Sequence, residues 1–391
     1  MILTPDVEFI LKRLNEKGHR ADVVGGPVRD FLRGVTPSDY DITTSATPEE
    51  TKAAFSDFKT VDTGIKHGTV TLVLNSTPYE ITTYRIDGEY TDSRHPDSVT
   101  FTRRIEEDLS RRDFTVNAIS YNPRDGITDP FLGREDIEKR IIRAVGDPYL
   151  RFSEDALRIL RALRFSSALG FEIEENTAKA LVEKSCLLTE ISAERIFTEW
   201  KKLLSGDGAF SVLSRFSSVL TYFLPELKSL VLPSDAALSE DFLVRQAAIF
   251  YLSCENPSES YKSAMLRLKT DSFTRDMGEK ILDNVGKYKL SSFSDAGFML
   301  KELGAEAADY TVRLEAVLGK KTKEQQAYLS EYLDRGLPYK VGDLKIDGNA
   351  LRSLGLRGRE IGESLDKLLS AVIFGRVKNE EAALLAYIKS N

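Results

Sequence analysis

The hydrophobic period of the chain changes near residue 150, so no fold built from one kind of element accommodates both halves. Before that point short β-branched or alternating runs recur: ADVVGG, TVTLVL, YEITTYRI, SVTFT and FTVNAISYN, separated by Gly, Pro, Asp and Asn. After it Pro and Gly thin out, and a 3.6-residue period takes over in SEDALRILRALRFSSAL, ERIFTEWKKLL, EDFLVRQAAIFYLSC and GRVKNEEAALLAYIKS. The expected class is α+β: a front domain on a small mixed or antiparallel sheet with flanking helices, then an all-α region. At 391 residues the chain exceeds one ordinary domain of about 100–200 residues, and its helical part is long enough to divide in two.

Composition narrows the chemistry. No run approaches the roughly 18 apolar residues of a membrane span. The opening MILTPDVEFILKRLNEKG reads as an amphipathic helix rather than a signal peptide, because it lacks a basic start and a small-residue cleavage site. Cys186 and Cys254 have no metal spacing and suit a reducing compartment, and the three histidines are scattered. The expected location is cytoplasmic, without a His-based metal site or a Ser-His-Asp arrangement. A net charge of −7 argues against a general nucleic-acid binder. The charge is uneven, however: residues 1–150 hold 20 Lys+Arg against 26 Asp+Glu, and residues 286–391 hold 17 against 15. That drift is compatible with metal-dependent chemistry in front and a phosphate-bearing partner behind.

The stretch ADVVGGPVRDFLRGVTPSDYDI, residues 21–42, carries the sharpest chemical signal. A strand that stops at Gly25-Gly26 and resumes as a helix aims free N–H groups into the turn, and glycine lets a phosphate approach the backbone. Arg29, one turn in, is placed to bond the same anion in bidentate fashion. Asp39 and Asp41, if they lie in a strand, face one side and converge. Converging carboxylates repel unless a cation lies between them, and hard oxygen ligands favour Mg²⁺ or Mn²⁺. Paired divalent ions near a triphosphate point to in-line nucleotidyl transfer. A lone D-x-D is more often a solvated turn; the Gly-Gly and Arg upstream are what change that reading.

Three further segments extend the set. Glu80, in the strand-like YEITTYR, is either a third carboxylate at a metal site or an edge-strand residue facing water. Arg111 and Arg112 either reach a triphosphate or ribose, or pair with the acids at 106–108. SEDALRILRALRF, residues 153–165, reads as one helix with Ser153 at its N-cap, Asp155 and Arg158 on one face, and Arg161 and Arg164 continuing the row among leucines. Such a row is costly unless it faces a polyanion or a polar cleft; otherwise it is an exposed charged stripe.

GG-P-VRD, D-Y-D, RRDFTVNA and EDALR, in this order and spacing, resemble the class II tRNA nucleotidyltransferases, the CCA-adding enzymes of the DNA polymerase beta superfamily. The likeness is strongest over about residues 20–170. It continues through TDPFLGREDIEKRIIRAVGDP and SAERIFTEWKKLL into a tail resembling the shorter, Gram-positive-type members. The resemblance implies a catalytic head at 1–149, a helical neck at 150–225, and a body and tail binding tRNA at 226–391. It implies that Asp39 and Asp41 hold the metals, with Glu80 alongside, and that Gly25, Gly26 and Arg29 contact the incoming nucleotide. Arg111 or Arg112 then binds its ribose or phosphates, and Asp155 with Arg158 reads the base, with Arg161 and Arg164 nearby. Independent chemistry agrees with that last role: a carboxylate accepts from the amino group of C or A while a guanidinium donates to the ring nitrogen. U and G present the reverse order and leave buried groups unpaired.

The implied substrates are CTP, ATP and tRNA, the implied cofactor Mg²⁺ with Mn²⁺ as a substitute, and a homodimer is left open. Within the family, RIDGEYTDSRHPDSVTF (85–101) retains the loop that CC-adding members lack, including Asp92, Arg94 and His95, and argues for addition of the terminal A. TGIKHGTVTLVL stands where poly(A) polymerases carry a basic GRRFR-like run. An A-adding enzyme with a separate CC-adding partner has nearly the same motifs. A catalytically silent relative would use the tail and its LGLRGRE segment to hold RNA, where the plainer reading is a helix–helix turn.

Overall fold

A computed structural model describes residues 1–65, 68–88, 98–320 and 322–390. The chain divides into two compact units, Met1–Lys228 and Ser229–Asn391.

In the first unit, α1 (Pro5–Glu16) starts with proline at its first turn and buries Val7, Ile10, Leu11 and Leu14, the amphipathic stripe that its sequence shows. The strands β1 (Ala21–Val24), β2 (Ile42–Thr44), β3 (Lys59–Gly64), β4 (Thr69–Leu74) and β5 (Thr77–Thr83) follow, interrupted by α2 (Gly26–Leu32) and α3 (Pro48–Ala54). α3 is fixed by a capping box between Thr47 and Glu50. A separate two-stranded pair, β6 (Arg85–Asp87) and β7 (Val99–Phe101), brackets the loop stem; Asp92, Arg94 and His95 lie outside the described residues. Next come α4 (Ile105–Ser110), β8 (Ser120–Asn122), β9 (Gly126–Thr128), α5 (Gly133–Lys139) and β10 (Ile141–Ile142).

The main sheet has seven strands in the order β3-β4-β5-β2-β1-β8-β9. β1 is antiparallel to both neighbours, while β2 runs parallel to β5, so the sheet is mixed. β4 shows the alternation of a half-buried strand, with Val70, Leu72 and Leu74 inward. The β2–β5 register sets Ile42 against Ile81, so Asp41 and Glu80 stand one step before a shared pair. β1 carries a fully buried Asp22, which accepts from Arg20 at 3.0 Å and from the Tyr84 hydroxyl, so the charge is paired rather than orphaned.

The helical part of this unit contains α6 (Pro148–Glu154), α7 (Leu157–Leu169), β11 (Glu172–Ile173), α8 (Glu175–Glu183), α9 (Ala193–Leu204), α10 (Ala209–Arg215) and α11 (Ser217–Leu220). Residues 153–165 are therefore not one helix. Asp147 caps α6 by accepting from Tyr149 N, and Ser153 lies in its last turn, donating to Tyr149 O at 2.9 Å. Asp155 leaves helical geometry at φ −141°, ψ 101°, and its carboxylate accepts from Leu157 N at 3.1 Å, starting the next helix. The aspartate that continues the helical period thus works as the joint between two helices.

The second unit is helical throughout, as its sequence period requires: α12 (Phe242–Ser253), α13 (Pro257–Arg267), α14 (Ser272–Asn284), α15 (Phe293–Leu303), α16 (Ala305–Val317), α17 (Lys323–Asp334), α18 (Gly348–Ser353), α19 (Arg359–Ile373) and α20 (Glu381–Ser390). Leu300, Ala308, Val312 and Tyr332 share one core, and Leu351, Leu368, Leu369 and Leu384 share another. Among the described residues no helix is long and apolar enough to cross a membrane.

Candidate active site

An open cleft of about 980 Å³ in the first unit gathers residues that lie far apart in sequence. Gly25, Gly26, Arg29, Asp39, Asp41, Arg112, Arg161 and Arg164 all line it. Glu80, Arg111, Asp155 and Arg158 are not part of its lining.

The turn after β1 is built as the sequence suggests. Gly25 sits at φ +77°, ψ −129°, which a side chain tolerates poorly, and a Cβ there would stand 3.2 Å from Arg112 Nη1. Arg29 is nearly buried, donating from Nε and Nη2 to both oxygens of Asp30 at 3.0 Å and from Nη1 to Asn117 Oδ1 at 2.7 Å. Its guanidinium is therefore locked in place at the cleft wall rather than free to swing.

The two aspartates differ from the expected geometry in one respect. β2 begins at Ile42, so Asp39 and Asp41 precede the strand, and strand alternation does not align them. They still share the cleft, and their charges are felt: the cleft walls desolvate the Asp41 carboxyl and raise its pKa, and Asp39 and Glu80 push it further, against the pull of Arg112. Glu80 thus acts on Asp41 through its field from the neighbouring strand. Asp39 accepts from the Ser38 hydroxyl at 3.3 Å. Two open carboxylates, with a third nearby, form a hard-oxygen set whose negative charge Arg112 offsets only in part, which fits a divalent cation. Among the described residues no three His, Cys, Asp or Glu groups stand close enough to enclose one on their own, so a cation at Asp39 and Asp41 would keep positions for other oxygens.

Opposite them lies a cationic set. Arg112 donates to Asp108 at 3.3 Å, while its Nε is buried without a hydrogen-bond partner among the described residues. Burial lowers its pKa, partly offset by Asp108 and Asp41. A buried, unsatisfied guanidinium donor on a cleft wall is a place for an anion. Arg111 turns away from the cleft to Asp108, at 2.8 Å, and comes within 3.8 Å of Asp87. The alternative of an Arg pair bound to the 106–108 acids therefore describes Arg111 fully and Arg112 only in part.

α7 supplies Arg161, Arg164 and Phe165. Arg161 donates through Nε to Asp113 at 2.7 Å; Arg164 pairs with Glu199 at 3.2 Å and lies over the Phe165 ring at 4.0 Å. Asp113 in turn accepts from Asn117 at 3.2 Å, so hydrogen bonds run continuously from Asp30 through Arg29, Asn117 and Asp113 to Arg161. Asp113 and Asn117 belong to the RRDFTVNA motif, where the charge of the two arginines draws attention from them. α9 and the turn after it add Phe197, Thr198, Lys201, Lys202, Gly206 and Asp207, for which sequence reasoning assigned no role.

Asp155 and Arg158 do not pair with each other. The break at Asp155 separates them: Asp155 receives Arg195 at 3.0 Å, and Arg158 donates to Glu154 at 2.6 Å and to Arg111 O at 3.1 Å. Each of the two polar groups already holds a partner beside the cleft.

The comparisons with known proteins agree with this picture. Residues 21–143 match the Poly A polymerase head domain, and residues 170–230 match the probable RNA and SrmB-binding site of polymerase A. A CCA-adding enzyme of Geobacillus thermodenitrificans is 38% identical over 97% of this chain and 95% of its own length. One from Lactobacillus delbrueckii is also 38% identical, over 97% and 96%. The crystal structure of the Bacillus stearothermophilus CCA-adding enzyme in complex with CTP superposes with a TM-score of 0.81, at 33% identity and 99% coverage of both chains. Identity of that size, carried along nearly the whole of each chain, matches the order of motifs from one end to the other, and the chain belongs to the CCA-adding enzymes.

Proposed function

We propose that this protein completes the 3′ end of tRNA, adding C, C and A from CTP and ATP without a nucleic-acid template and releasing pyrophosphate at each step. The observation that carries it is the meeting, in one cleft, of two open carboxylates with an arginine whose buried Nε lacks a partner. The CTP-bound Bacillus relative supports the nucleotide, and the family supports the RNA.

In the reaction the 3′-hydroxyl oxygen of the RNA attacks the α-phosphorus, a new P–O bond forms, and the bond to pyrophosphate breaks. Nucleotidyltransferases of this family generally use divalent metals; here Asp39 and Asp41 would hold Mg²⁺, with Mn²⁺ as a substitute. Bound there, such ions neutralise developing charge and acidify the attacking hydroxyl. The remaining work is done by the chain. Gly25 and Gly26 let the triphosphate close on the backbone, and Arg112 donates to it. Arg29, clamped by Asp30 and Asn117, keeps this wall rigid, and Glu80 keeps the local field negative beside Asp41. Asp155 and Arg158 read the base by exchanging Arg195 and Glu154 for the amino group and ring nitrogen of C or A. Arg161 and Arg164 line the floor beneath it, and Arg111 holds the loop stem through Asp87. On this reading residues 1–149 are the catalytic head, 150–225 the neck carrying the base-reading pair, and 226–391 the body and tail that hold tRNA.

Three tRNA transcripts test the activity: one ending at the discriminator base, one after the first C and one after CC, each with Mg²⁺ and CTP, ATP or both. CCA completed on all three is the expected result. Addition of A to the CC-ended transcript alone would make the protein a dedicated A-adding enzyme. Asp39→Ala and Asp41→Ala are each expected to lower incorporation by at least about a thousandfold, the scale of losing several kcal/mol of charge stabilisation, without changing the melting temperature. Parent-level incorporation by either variant would sink the metal assignment.

A further inference from the structure

Phe165 has no place in the reaction described above, yet it lies among three arginines of the cleft. The guanidinium carbon of Arg164 stands 4.0 Å from the centre of its ring, and those of Arg29 and Arg161 stand 5.4 Å from it. All three fall within the roughly 6 Å at which a cation is drawn to the face of an aromatic ring. The ring is buried and held in place: the fully buried Phe114 meets it edge to face, with centroids 5.8 Å apart.

Three like charges on one wall repel. Burial lowers the pKa of Arg164; Glu199 opposes that shift, and Arg161 and Arg29 add to it. Carboxylates answer part of the repulsion: Asp30 takes Arg29, Asp113 takes Arg161, and Glu199 stands 3.2 Å from Arg164. A carboxylate, however, holds a guanidinium by its N–H edge, which is also the edge that a nucleotide must use. Arg29 already gives three of its five N–H groups to Asp30 and Asn117. An aromatic ring holds the same group by its flat face and leaves the edge open. Arg164 is the clearest case. It lies over the ring and makes no hydrogen bond among the described residues, where Glu199 Oε2 is likewise buried without one.

We infer that Phe165 is a positioning residue for the incoming nucleotide: its ring fixes Arg164, and steadies Arg29 and Arg161, by their faces, so that N–H groups remain for the ligand. This role rests on the proposed nucleotide transfer and adds to it an uncharged residue that hydrogen bonding alone does not single out.

Ring fluorines change the charge of the face while nearly keeping its shape, and so separate this role from packing. Full-length protein with one, two or three fluorines on the phenylalanine at position 165 is compared with the parent, Phe165→Leu and Phe165→Tyr. Binding of CTP and of ATP is read by calorimetry, incorporation by extension of a tRNA transcript, and stability by a thermal scan. Kd for both nucleotides is expected to rise stepwise with fluorine number, to about tenfold at three, between the exposed and desolvated scales of one cation–π contact. KM for tRNA and the melting temperature should stay at the parent's values. Phe165→Leu should weaken CTP binding at least as much, and Phe165→Tyr, which keeps a ring, should regain most of it. A nucleotide Kd that stayed flat across the fluorinated series would overturn the inference even if Phe165→Leu bound poorly, because packing alone would then explain the ring. So would a melting temperature that fell in step with affinity. A parent that bound CTP but added nothing to tRNA would instead sink the proposed activity, and the fluorine series would still decide the part played by the ring.

Discussion

Asp113 shows how much a single side chain settles. Its Oδ1 accepts from Phe114 N at 2.8 Å and from Asn117 at 3.2 Å, and its Oδ2 accepts from Arg161. Burial alone would raise its pKa; the charge and hydrogen bond of Arg161, with Asn117 added, hold it down at about 2. A carboxyl depressed in the folded state contributes stability above its unfolded pKa of about 3.9, and the contribution disappears as pH falls through its folded value. Asp113→Asn is therefore expected to cost about 2 kcal/mol near pH 7, and the gap to the parent should narrow between about pH 4 and pH 2, measured by denaturant unfolding. A gap that stayed constant with pH would mean that shape, not charge, makes the contribution. In the sequence Asp113 stands in plain view beside Arg111 and Arg112. Its partner Arg161 is 48 residues away, and a residue-by-residue period cannot pair groups across such a distance. Gly25, Arg29 and the two aspartates were legible because their signal is local: residue types that only make sense together, a few positions apart.

Between residues and the whole lies the helix pair α7 and α9. The helices approach closely because Gly206, just after α9, rests on Ser167 of α7: a Cβ there would stand 2.3 Å from Ser167 Oγ and 2.8 Å from its carbonyl oxygen. Ser167 Oγ donates to Leu203 O at 2.7 Å, and Gly208 N donates to Ser167 O at 3.0 Å, so the crossing is bonded as well as packed. Since the obstacle includes backbone, Gly206→Ala must part the helices. Overpacking of this kind costs about 1–3 kcal/mol, and a thermal scan should show a melting temperature lower by a few degrees. An unchanged melting temperature would show that the crossing yields freely. The helices themselves were readable from their period, but the joint at Asp155 was not. A polar residue on the periodic face continues a helix and caps the next one equally well, and only the backbone angle decides between them.

Over the whole molecule the change near residue 150 was legible, as were β1, β4, β5 and β7, because each rests on a local period; of FTVNAISYN only Ser120–Asn122 is a strand, and Thr115–Asn117 form a single 3₁₀ turn. The strand order was not legible. Parallel pairing of β2 with β5 joins segments about 39 residues apart, and it brings Glu80 into the field of Asp41. All of the cleft lies between residues 25 and 207, inside the first compact unit. A fragment of residues 1–228 is accordingly expected to keep CTP binding, seen as a ligand-dependent rise in melting temperature, while its affinity for tRNA falls well below that of the full chain. Equal tRNA affinity in fragment and full chain would remove the reason for assigning RNA binding to the second unit. A polymerase that copies no strand must keep its alphabet in its own side chains. If Asp155 and Arg158 are its two letters, as proposed, they are folded shut here, Asp155 against Arg195 and Arg158 against Glu154. On the proposed reading, a nucleotide that cannot take over both partners leaves the book closed, so recognising a base and opening the page on which it is written are one event.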